Sequence, residues 1–363
     1  MSPAPGRSPT ITLQLSAREF LSDATDRLIV DVRAPLEFAE GHIPGAINIP
    51  VLDDRQREEV GTLYQQQGRA LATRTGLQFV QQRLPELKVR IREVVDSADP
   101  DSDLRINCWR GGMRSRSMAW LAEQFGHGAS VLEGGYKAYR QHVLNVFQQP
   151  WNLVVLSGLT GAGKTKQLHR LQRAGQQVID LEGLAHHRGS AFGGIGLPPQ
   201  PTAQQFQNNL ADALERFDMG QRIWLEDESQ NIGRVVIHDH FIQQIRQAPA
   251  IFLDVPQAVR AENLADEYGR LSRDELKEST LKIAKRFGGQ NVQAALELLE
   301  RGDLAGCAGR LLDYYDKTYG VARARQNRPL FHELATERPL DAALTAELIE
   351  IADQQRWTAA EST

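Results

Sequence analysis

The chain has 363 residues, of which 41% are hydrophobic and 24% charged, and its formal net charge is −4. This length favours two folding domains over one, and the composition is ordinary for a water-soluble protein without any apolar run as long as a membrane span. The slight excess of acidic residues argues against a protein that coats nucleic acid through overall positive charge, although it allows a local basic groove.

The cysteines and the first residues indicate the compartment. Cys108 and Cys307 are too few for a disulfide framework or for a zinc site built from cysteines. Residues 1–10 are rich in Pro and Ser and lack the apolar segment of a signal peptide. We therefore expect a cytoplasmic protein that does not associate with membranes.

The first elements predict an α/β domain. Residues 11–15 alternate as in a strand, and residues 16–19 have the pattern of a capping box, with Ser16 beginning a helix. Residues 28–32 form a nearly continuous apolar run, which is typical of a strand buried on both faces of a parallel sheet. Residues 55–95 predict two helices, to which we assign no chemistry.

Cys108 is predicted to lie in a turn between a strand, residues 104–107, and a helix that begins at a Ser115 cap. Such a turn directs successive backbone N–H groups and the positive end of the helix toward one point, where an anion is stabilised. Gly111 and Gly112 let the backbone curl. This arrangement suits a reactive thiolate.

Two arginines strengthen that prediction. Arg110 and Arg114 place positive charge near the sulfur, which favours the thiolate. A buried, inert cysteine is the commoner case, but it would leave both arginines and the glycine pair without a purpose. We therefore predict that Cys108 is reactive.

The surrounding sequence resembles the rhodanese domains. Residues 31–50 resemble their N-terminal signature, in which a short acidic helix leads to a Gly-His-Ile-Pro-Gly-Ala turn and another strand. Residues 131–136 resemble their last strand and turn, and Cys108 lies where the sulfur-carrying cysteine belongs. The resemblance implies one rhodanese-like domain with a parallel sheet over residues 12–147.

A second domain is predicted to begin after residues 148–150. Residues 151–157 predict a buried strand that enters a complete P-loop at 158–165, with an amphipathic helix over 166–174. The amides of a P-loop cradle phosphate oxygens, while Lys164 supplies charge and Thr165 is placed to meet Mg²⁺. The residues predicted to bind phosphate are Gly158, Thr160, Gly161, Ala162, Gly163, Lys164 and Thr165.

An acidic segment follows another predicted strand, residues 222–225. In a P-loop fold, a carboxylate at this position can hold the metal or its water, and Glu226 or Asp227 is a candidate for that role. The alternative is a solvated acidic turn. Whether Mg²⁺ or ATP binds is left open by the sequence.

A Gly-rich basic segment, residues 180–194, follows a strand predicted over 177–181. Strand ends of this kind form the ligand crevice of open α/β sheets. Adjacent histidines such as His186 and His187 diverge and lack a third ligand here, so a metal site is disfavoured. Contact with an anion or a nucleotide through Arg188 and the loop amides is the favoured interpretation.

Residues 251–255 predict a further strand, and residues 256–351 are helical in pattern, so that 151–353 form a P-loop NTPase-like α/β domain with a helical C-terminal part. Most basic residues there are expected to be solvated, while a subset could line a groove for RNA together with tyrosines. These residues are Arg260, Lys277, Lys282, Lys285, Arg286, Arg310, Lys317, Arg323, Arg325 and Arg328, with Tyr314, Tyr315 and Tyr319. Cys307 is interpreted as structural and residues 354–363 as a loose tail.

The combination resembles the bacterial tRNA 2-selenouridine synthases over nearly the whole chain. The motifs that carry this resemblance are residues 108–115, 158–165, 180–193, 196–202 and 225–233. His238, where proline would be expected, is a departure. The resemblance implies that selenium from selenophosphate replaces sulfur in 2-thiouridine at the wobble position of tRNA, through an S-geranyl intermediate made from geranyl diphosphate.

The resemblance also implies roles for single residues. Cys108, Arg110 and Arg114 would be catalytic. The loop that handles selenophosphate would contain Trp109, Gly111, Gly112 and Met113. Contacts to tRNA or substrate would come from His187, Arg188, Ser190, Glu226 and Asp227. A tRNA with 2-thiouridine is the expected partner, and selenophosphate synthetase is a further candidate.

Other functions remain open. Cys108 and Arg114 also have the Cys-x5-Arg spacing of cysteine phosphatases, which suggests a phosphatase or a sulfurtransferase fused to an ATPase module. Asn107 stands where many of those phosphatases have histidine, which disfavours the first. A P-loop regulatory protein with an inactive rhodanese module is the non-catalytic alternative.

Overall fold

The computed structural model describes residues 13–22, 28–97, 103–269, 271–324, 331–336 and 341–354, apart from the side chains of 318–324 and 331. It divides into two compact units, Met1–Val146 and Phe147–Thr363. Of the predicted features, Arg325, Arg328 and almost all of the tail lie outside the described residues, as do the side chains of Tyr319 and Arg323.

The first unit contains β1 (Leu13–Leu15), α1 (Ala17–Leu21), β2 (Leu28–Asp31), α2 (Pro35–Glu40), β3 (Ile47–Asn48), α3 (Asp54–Gln67), α4 (Arg69–Ser97), β4 (Leu104–Asn107), α5 (Met113–Gln124), β5 (Ala129–Leu132) and α6 (Gly135–Val146). Its five strands form one sheet in the order β1-β5-β4-β2-β3, and every described pairing is parallel. Because the carboxyl ends of parallel strands meet at one edge, the segments after β2 and β4 lie side by side, with Asp31 opposite Asn107.

Both faces of this sheet are covered. Val30, Ile106 and Val131 are fully buried in the strands, and they belong to one cluster with Ile91 of α4 and Ala119 of α5. This confirms the apolar runs as central parallel strands. The capping box at Ser16 and the two helices over residues 55–95 are also confirmed.

The predicted Ser115 cap is wrong. Helix α5 begins at Met113, and its N-cap is Gly112, which makes no side-chain cap. The hydroxyl of Ser115 donates instead to the Gly112 carbonyl at 3.1 Å. Since residues 113 and 114 adopt helical geometry directly after the glycine pair, Ser115 lies inside the first turn of the helix.

The second unit contains β6 (Leu153–Gly158), α7 (Lys164–Arg173), β7 (Gln177–Ile179), α8 (Leu181–Ala185), α9 (Ala203–Glu215), β8 (Ile223–Glu226), β9 (Asn231–Ile232), β10 (Val235–Val236), α10 (Asp239–Gln247), β11 (Ala250–Asp254), α11 (Gln257–Tyr268), α12 (Arg273–Lys282), α13 (Ala284–Phe287), α14 (Gly289–Arg301), α15 (Leu304–Ala324), β12 (Phe331–Ala335) and α16 (Ala342–Gln354). A parallel sheet has the order β12-β11-β6-β8-β7, while β9 and β10 form a separate antiparallel pair.

Two predictions about element type or extent fail in this unit. The helical pattern over residues 256–351 is interrupted by β12, which pairs along its whole length with β11. Five residues are too few for periodicity to separate a strand from a helix. The strand predicted over 177–181 ends at Ile179, because Asp180 caps α8 by accepting the Gly183 N–H at 2.6 Å.

Among the described helices, none combines the length and the apolar character that crossing a bilayer requires.

Candidate active sites

Cys108 follows β4 and lies buried beneath the N-terminus of α5, with 3% of its surface exposed. Its Sγ accepts a hydrogen bond from the Gly112 N–H at 3.3 Å and lies 3.3 Å from the Ser115 Oγ. The Ser115 hydroxyl can donate either to the Gly112 carbonyl or to the sulfur. By rotating, the Ser115 hydroxyl can therefore accept a hydrogen bond from the Cys108 thiol or donate one to the thiolate.

The turn after β5 holds this loop in place. Gly135 has φ +62°, and a Cβ there would lie 2.3 Å from the Cys108 carbonyl oxygen, so only glycine fits. The N–H of Tyr136 donates to that carbonyl at 2.7 Å, and the N–H of Lys137 donates to the Trp109 carbonyl at 3.1 Å. The last rhodanese-like turn thus positions the cysteine.

The two arginines of the loop have different surroundings. Arg114 donates to Glu37 at 2.8 Å, and Arg57 also pairs with Glu37. Burial raises the pKa of Glu37, but Arg114, Arg57 and the Ala34 amide together outweigh this effect and lower it. Arg110 is exposed and makes no ion pair with any described residue. Arg114 therefore anchors the loop to α2, while Arg110 is free to meet a ligand.

A buried ion pair braces the neighbouring strand. Asp31 and Arg33 pair at 2.7 Å, and both are almost fully buried. Arg33 also donates to the Gly41 carbonyl at 2.6 Å, and its guanidinium lies 3.7 Å from the centre of the Tyr136 ring. This pair joins the end of β2 to the turn after α2 and to α6. Helix α6 begins with Gly135 and Tyr136, which hold the Cys108 loop.

The second site is the P-loop between β6 and α7. Lys164 is the first residue of α7, and its Nζ donates to the Gly158 carbonyl at 2.9 Å. The Thr165 hydroxyl donates to Glu182 at 2.9 Å. Lys164 and Thr165, the two side chains that a P-loop presents to phosphate, are therefore hydrogen-bonded to protein groups that a phosphate ligand could replace.

Carboxyl groups gather beside Lys164 at the carboxyl ends of β7 and β8. Glu226 is fully buried and accepts the Leu181 N–H at 3.1 Å, so a solvated acidic turn is wrong for this residue. Asp227, one residue further, accepts from the Ser157 hydroxyl at 2.7 Å. These contacts tie the acidic segment to the sheet.

Burial governs the ionisation of this cluster. It raises the pKa of Glu226 well above its usual range, and the charges of Asp180 and Glu182 add to the rise. Burial also raises the pKa of Glu182, although Lys164 opposes this. For Glu228, burial and then Glu182 raise the pKa to about 7. Burial therefore favours the protonated forms of Glu182, Glu226 and Glu228, and a pKa of about 7 leaves Glu228 partly protonated at neutral pH.

Glu182 and Glu228 were not predicted as site residues. Their positions in the sequence could have indicated a role in the site, because each closely follows the carboxyl end of a sheet strand, where the ligand crevice of an open α/β sheet forms. Which of these acids approach Lys164 depends on the adjacency of β7 and β8, which the sequence does not reveal.

Arg260 is one of the basic residues that were predicted, for the most part, to be solvated or to line a groove for RNA, and it does neither. It is 3% exposed and donates to the Thr160 carbonyl at 3.1 Å and to Asp316 through two nitrogens at 2.9 and 2.7 Å. Asn263 donates to the Gly161 carbonyl at 3.0 Å. A Cβ on Gly161, where φ is +81°, would lie 2.7 Å from the Arg260 carbonyl. Helices α11 and α15 therefore hold the P-loop in shape.

Comparison with known proteins identifies the family. The family model described as the tRNA 2-selenouridine synthase AAA domain matches residues 151–345, and the rhodanese-like domain model matches residues 16–142. The chain belongs to the tRNA 2-selenouridine synthase family. The fold class predicted from the sequence is thereby confirmed.

Individual members of this family match most of the chain. The tRNA 2-selenouridine synthase of Sulfurovum sp. (strain NBC37-1) is 35% identical over 344 residues, which cover 85% of this chain and 92% of that protein. The synthase of Shewanella frigidimarina (strain NCIMB 400) is 36% identical over 298 residues, with 76% and 79% covered.

In this member of the tRNA 2-selenouridine synthase family, the segment after α8 covers the acidic cluster. A Cβ on Gly189 would lie 3.0 Å from the Glu228 carboxylate. Arg188 pairs with Glu267 at 2.8 Å and donates to the Ile195 carbonyl at 3.0 Å, so it braces this segment against α11. An anion would have to compete with Glu267 for the Arg188 guanidinium.

The histidines of this segment also serve the backbone. His186 Nδ1 lies 3.0 Å from the Pro199 carbonyl, and His187 Nδ1 accepts the Gly189 N–H at 3.1 Å. Burial, then the charge of Arg188, lowers the pKa of His187. Within the described part of the chain, no three His, Cys, Asp or Glu side chains are arranged to hold a metal.

A magnesium ion needs fewer protein ligands than that. Mg²⁺ is commonly bound through one or two protein oxygens together with substrate phosphates and water. The Thr165 hydroxyl and the Asp227 carboxylate supply such oxygens at the P-loop, where they are hydrogen-bonded to Glu182 and Ser157. The residues present therefore fit a phosphate-bound Mg²⁺.

The tyrosines expected to stack on RNA are not all accessible. Tyr315 is 9% exposed and Tyr314 packs in the same cluster, with its ring 5.7 Å from that of Phe287. Lys277 and Lys282 are paired with Glu300 and Glu278. Of the basic residues predicted for the RNA groove, those that are exposed and have no acidic partner among the described residues are Lys285, Arg286, Arg310 and Lys317.

Proposed function

We propose that this chain replaces sulfur by selenium in 2-thiouridine at the wobble position of tRNA, with selenophosphate as the selenium donor. The observation that carries the proposal is the Cys108 site in a member of this family. The sulfur accepts an N–H, lies beside a hydroxyl and faces the N-terminus of a 12-residue helix, which together stabilise a thiolate.

The same loop suits an oxyanion such as selenophosphate. Its backbone amides and the free guanidinium of Arg110 offer hydrogen bonds and charge to the phosphate oxygens. Trp109 and Met113 are exposed beside them and form an apolar rim. Selenophosphate bound at this loop would lie next to the Cys108 sulfur. The Cys108 thiolate would attack phosphorus, so that an S–P bond forms, the P–Se bond breaks and hydrogen selenide leaves for the uridine; water then cleaves the S–P bond and releases phosphate.

The P-loop is proposed to hold the diphosphate of geranyl diphosphate. The thiocarbonyl sulfur of 2-thiouridine attacks C1 of the geranyl group, so that a C–S bond forms and the C–O bond to diphosphate breaks. The electron pair leaves on the diphosphate and the N3 proton is released. Lys164 and the loop amides would stabilise the charge that develops on the leaving oxygens, and Mg²⁺ would supply further positive charge there when bound.

Selenium then replaces the S-geranyl group without any change of oxidation state. A selenide equivalent adds to C2 and geranyl thiolate leaves, which a thioether permits and an unmodified thiocarbonyl does not. Each substrate is an anion, and each has a built anion site in this chain. The two sites would act in sequence on one uridine.

The test is mass spectrometry of tRNA nucleosides after incubation with both substrates. Lys164→Ala should leave unreacted 2-thiouridine, with transfer slowed by about 10²–10³, the usual effect of losing one preorganised donor. Cys108→Ala should accumulate S-geranyl-2-thiouridine. Lys166→Ala, also in α7 but outside the P-loop, should behave as the unaltered protein. Normal geranylation by Lys164→Ala would refute the division of roles.

A further inference from the structure

An apolar pocket adjoins the P-loop in the second unit. Its empty space is about 560 Å³, counted together with the open solvent at its mouth. Its lining residues come from the P-loop, the segment after α8, and helices α11, α12, α14 and α15. They are Thr160, Ser190, Phe192, Leu264, Ala265, Tyr268, Leu276, Thr280, Leu299, Leu304, Cys307, Ala308, Leu311, Leu312 and Tyr315.

The hydroxyl groups in this wall are few; two of them have partners within the protein, and the buried Tyr315 hydroxyl has none among the described residues. The Thr280 hydroxyl donates to the Leu276 carbonyl of its own helix at 2.8 Å, and the Ser190 oxygen accepts the Phe192 N–H at 3.2 Å. A nucleobase buried here would lose its hydrogen bonds to water with few groups to replace them, which is unfavourable. A hydrocarbon would lose nothing and would leave water, which is favourable.

The pocket and the phosphate cradle share their framework. Thr160 belongs to both, and Arg260 and Asn263 of α11 hold the P-loop carbonyls. Leu264 and Ala265, the next residues of that helix, line the pocket. The same helix therefore places an apolar wall next to the site for a diphosphate.

We propose that this pocket binds the isoprenoid chain of a prenyl diphosphate and selects its length, with the diphosphate at the P-loop. The inference rests on the proposed function for the choice of a ten-carbon chain. A prenyl diphosphate is a dianionic head on a hydrocarbon tail, and the two adjoining surfaces match these two parts. Nucleoside triphosphates match only the first.

The first experiment fills the pocket. Ala265→Phe adds a ring at a partly exposed position of the wall, and Ala258→Phe places the same ring on the exposed face of the same helix as a control. By calorimetry, Ala265→Phe should weaken geranyl diphosphate binding at least tenfold, while dimethylallyl diphosphate and inorganic pyrophosphate stay within about twofold of the unaltered protein. Equal behaviour of the two variants would overturn the proposal.

The second experiment leaves the pocket unchanged, because its one substitution, Cys108→Ser, is in the first unit. Cys307 is part of the wall, so its labelling by methyl methanethiosulfonate at pH 9 reports occupancy in Cys108→Ser protein. Geranyl diphosphate should slow labelling at least fivefold, and inorganic pyrophosphate should not. Equal protection by both would place the tail elsewhere.

Failure of the proposed function gives a different result. If geranyl diphosphate binds more tightly than pyrophosphate and protects Cys307, yet no prenyl group reaches 2-thiouridine in tRNA, the pocket stands and the proposed transfer is wrong. If transfer to tRNA proceeds but Ala265→Phe keeps the same preference between five- and ten-carbon chains, the transfer stands and the pocket assignment is wrong.

Discussion

At the scale of single residues, the two cysteines are similarly buried but have different groups around the sulfur. Cys108 and Cys307 are 3% and 6% exposed. Cys108 has an N–H and a hydroxyl at its sulfur, whereas burial, with a smaller effect from Asp303, raises the pKa of Cys307 to about 11. At pH 8 only about one Cys307 in a thousand is ionised, and that fraction rises about tenfold for each pH unit up to 11.

This contrast predicts the result of labelling with iodoacetamide at pH 8. Cys108 should react at least tenfold faster than Cys307, measured by peptide mass spectrometry. Ser115→Ala should slow Cys108 about three- to tenfold, because the thiolate loses one hydrogen bond from a hydroxyl. Ser117→Ala, on the exposed side of α5, should leave the rate unchanged. Faster labelling of Cys307 would contradict the assignment of Cys108 as the nucleophile.

At the scale of elements, the P-loop depends on helices distant in sequence. Arg260 of α11 carries a buried charge that only Asp316 of α15 compensates among the described residues, and the same guanidinium holds the Thr160 carbonyl. Removing one partner of a buried ion pair strands the other charge, which is costlier than removing both. The phosphate site is therefore coupled to the packing of α15 on α11.

Asp316→Ala should destabilise the protein by about 3–5 kcal/mol in urea unfolding and weaken binding of inorganic pyrophosphate. The double change Arg260→Met with Asp316→Leu should recover much of that stability, because no charge stays buried. Asp313→Ala, which removes an exposed hydrogen bond to Gln257 from the same helix, should cost less than about 1 kcal/mol. If Asp316→Ala and Asp313→Ala lowered the free energy of unfolding equally, the Arg260–Asp316 pair would not be what stabilises the P-loop.

At the scale of the whole molecule, a chain of net charge −4 is proposed to bind a polyanion. Bulk charge cannot provide this attraction, so it must come from local groups. Lys285 and Arg286 in α13 are adjacent, exposed and free of acidic partners among the described residues. Lys277 and Lys282 of α12, by contrast, have their charge compensated.

Affinity for tRNA should therefore fall steeply with salt, and Lys285→Glu with Arg286→Glu should weaken it and lower the salt slope by up to about two. The pair Lys277→Glu with Lys282→Glu, with the same change of net charge, should have the smaller effect. Filter binding across a salt series measures both. If the two double variants lost affinity equally, only overall charge would matter and no basic patch would be involved.

The sequence by itself determined the class of the fold and the positions of the two loops, and it predicted their chemistry. The Cys108 motif is one continuous stretch of sequence, and so is the P-loop motif. Each depends on backbone geometry that a few neighbouring residues dictate. Apolar runs such as residues 28–32 are typical of central parallel strands whatever lies far along the chain. These features could be predicted because their physical causes are local.

Only the tertiary structure decided which distant residues complete each site. The sequence did not separate Arg260 from the other basic residues, whereas the structure shows that it donates to the Thr160 carbonyl. Glu182 and Glu228 lie near the P-loop because β7 and β8 are neighbours, and Gly135 packs against the Cys108 carbonyl. Strand β12 owes its form to its partner β11 rather than to a pattern of its own. Burial, pairing and pKa are properties of contacts between segments far apart in the chain, and no local pattern of residues specifies those contacts.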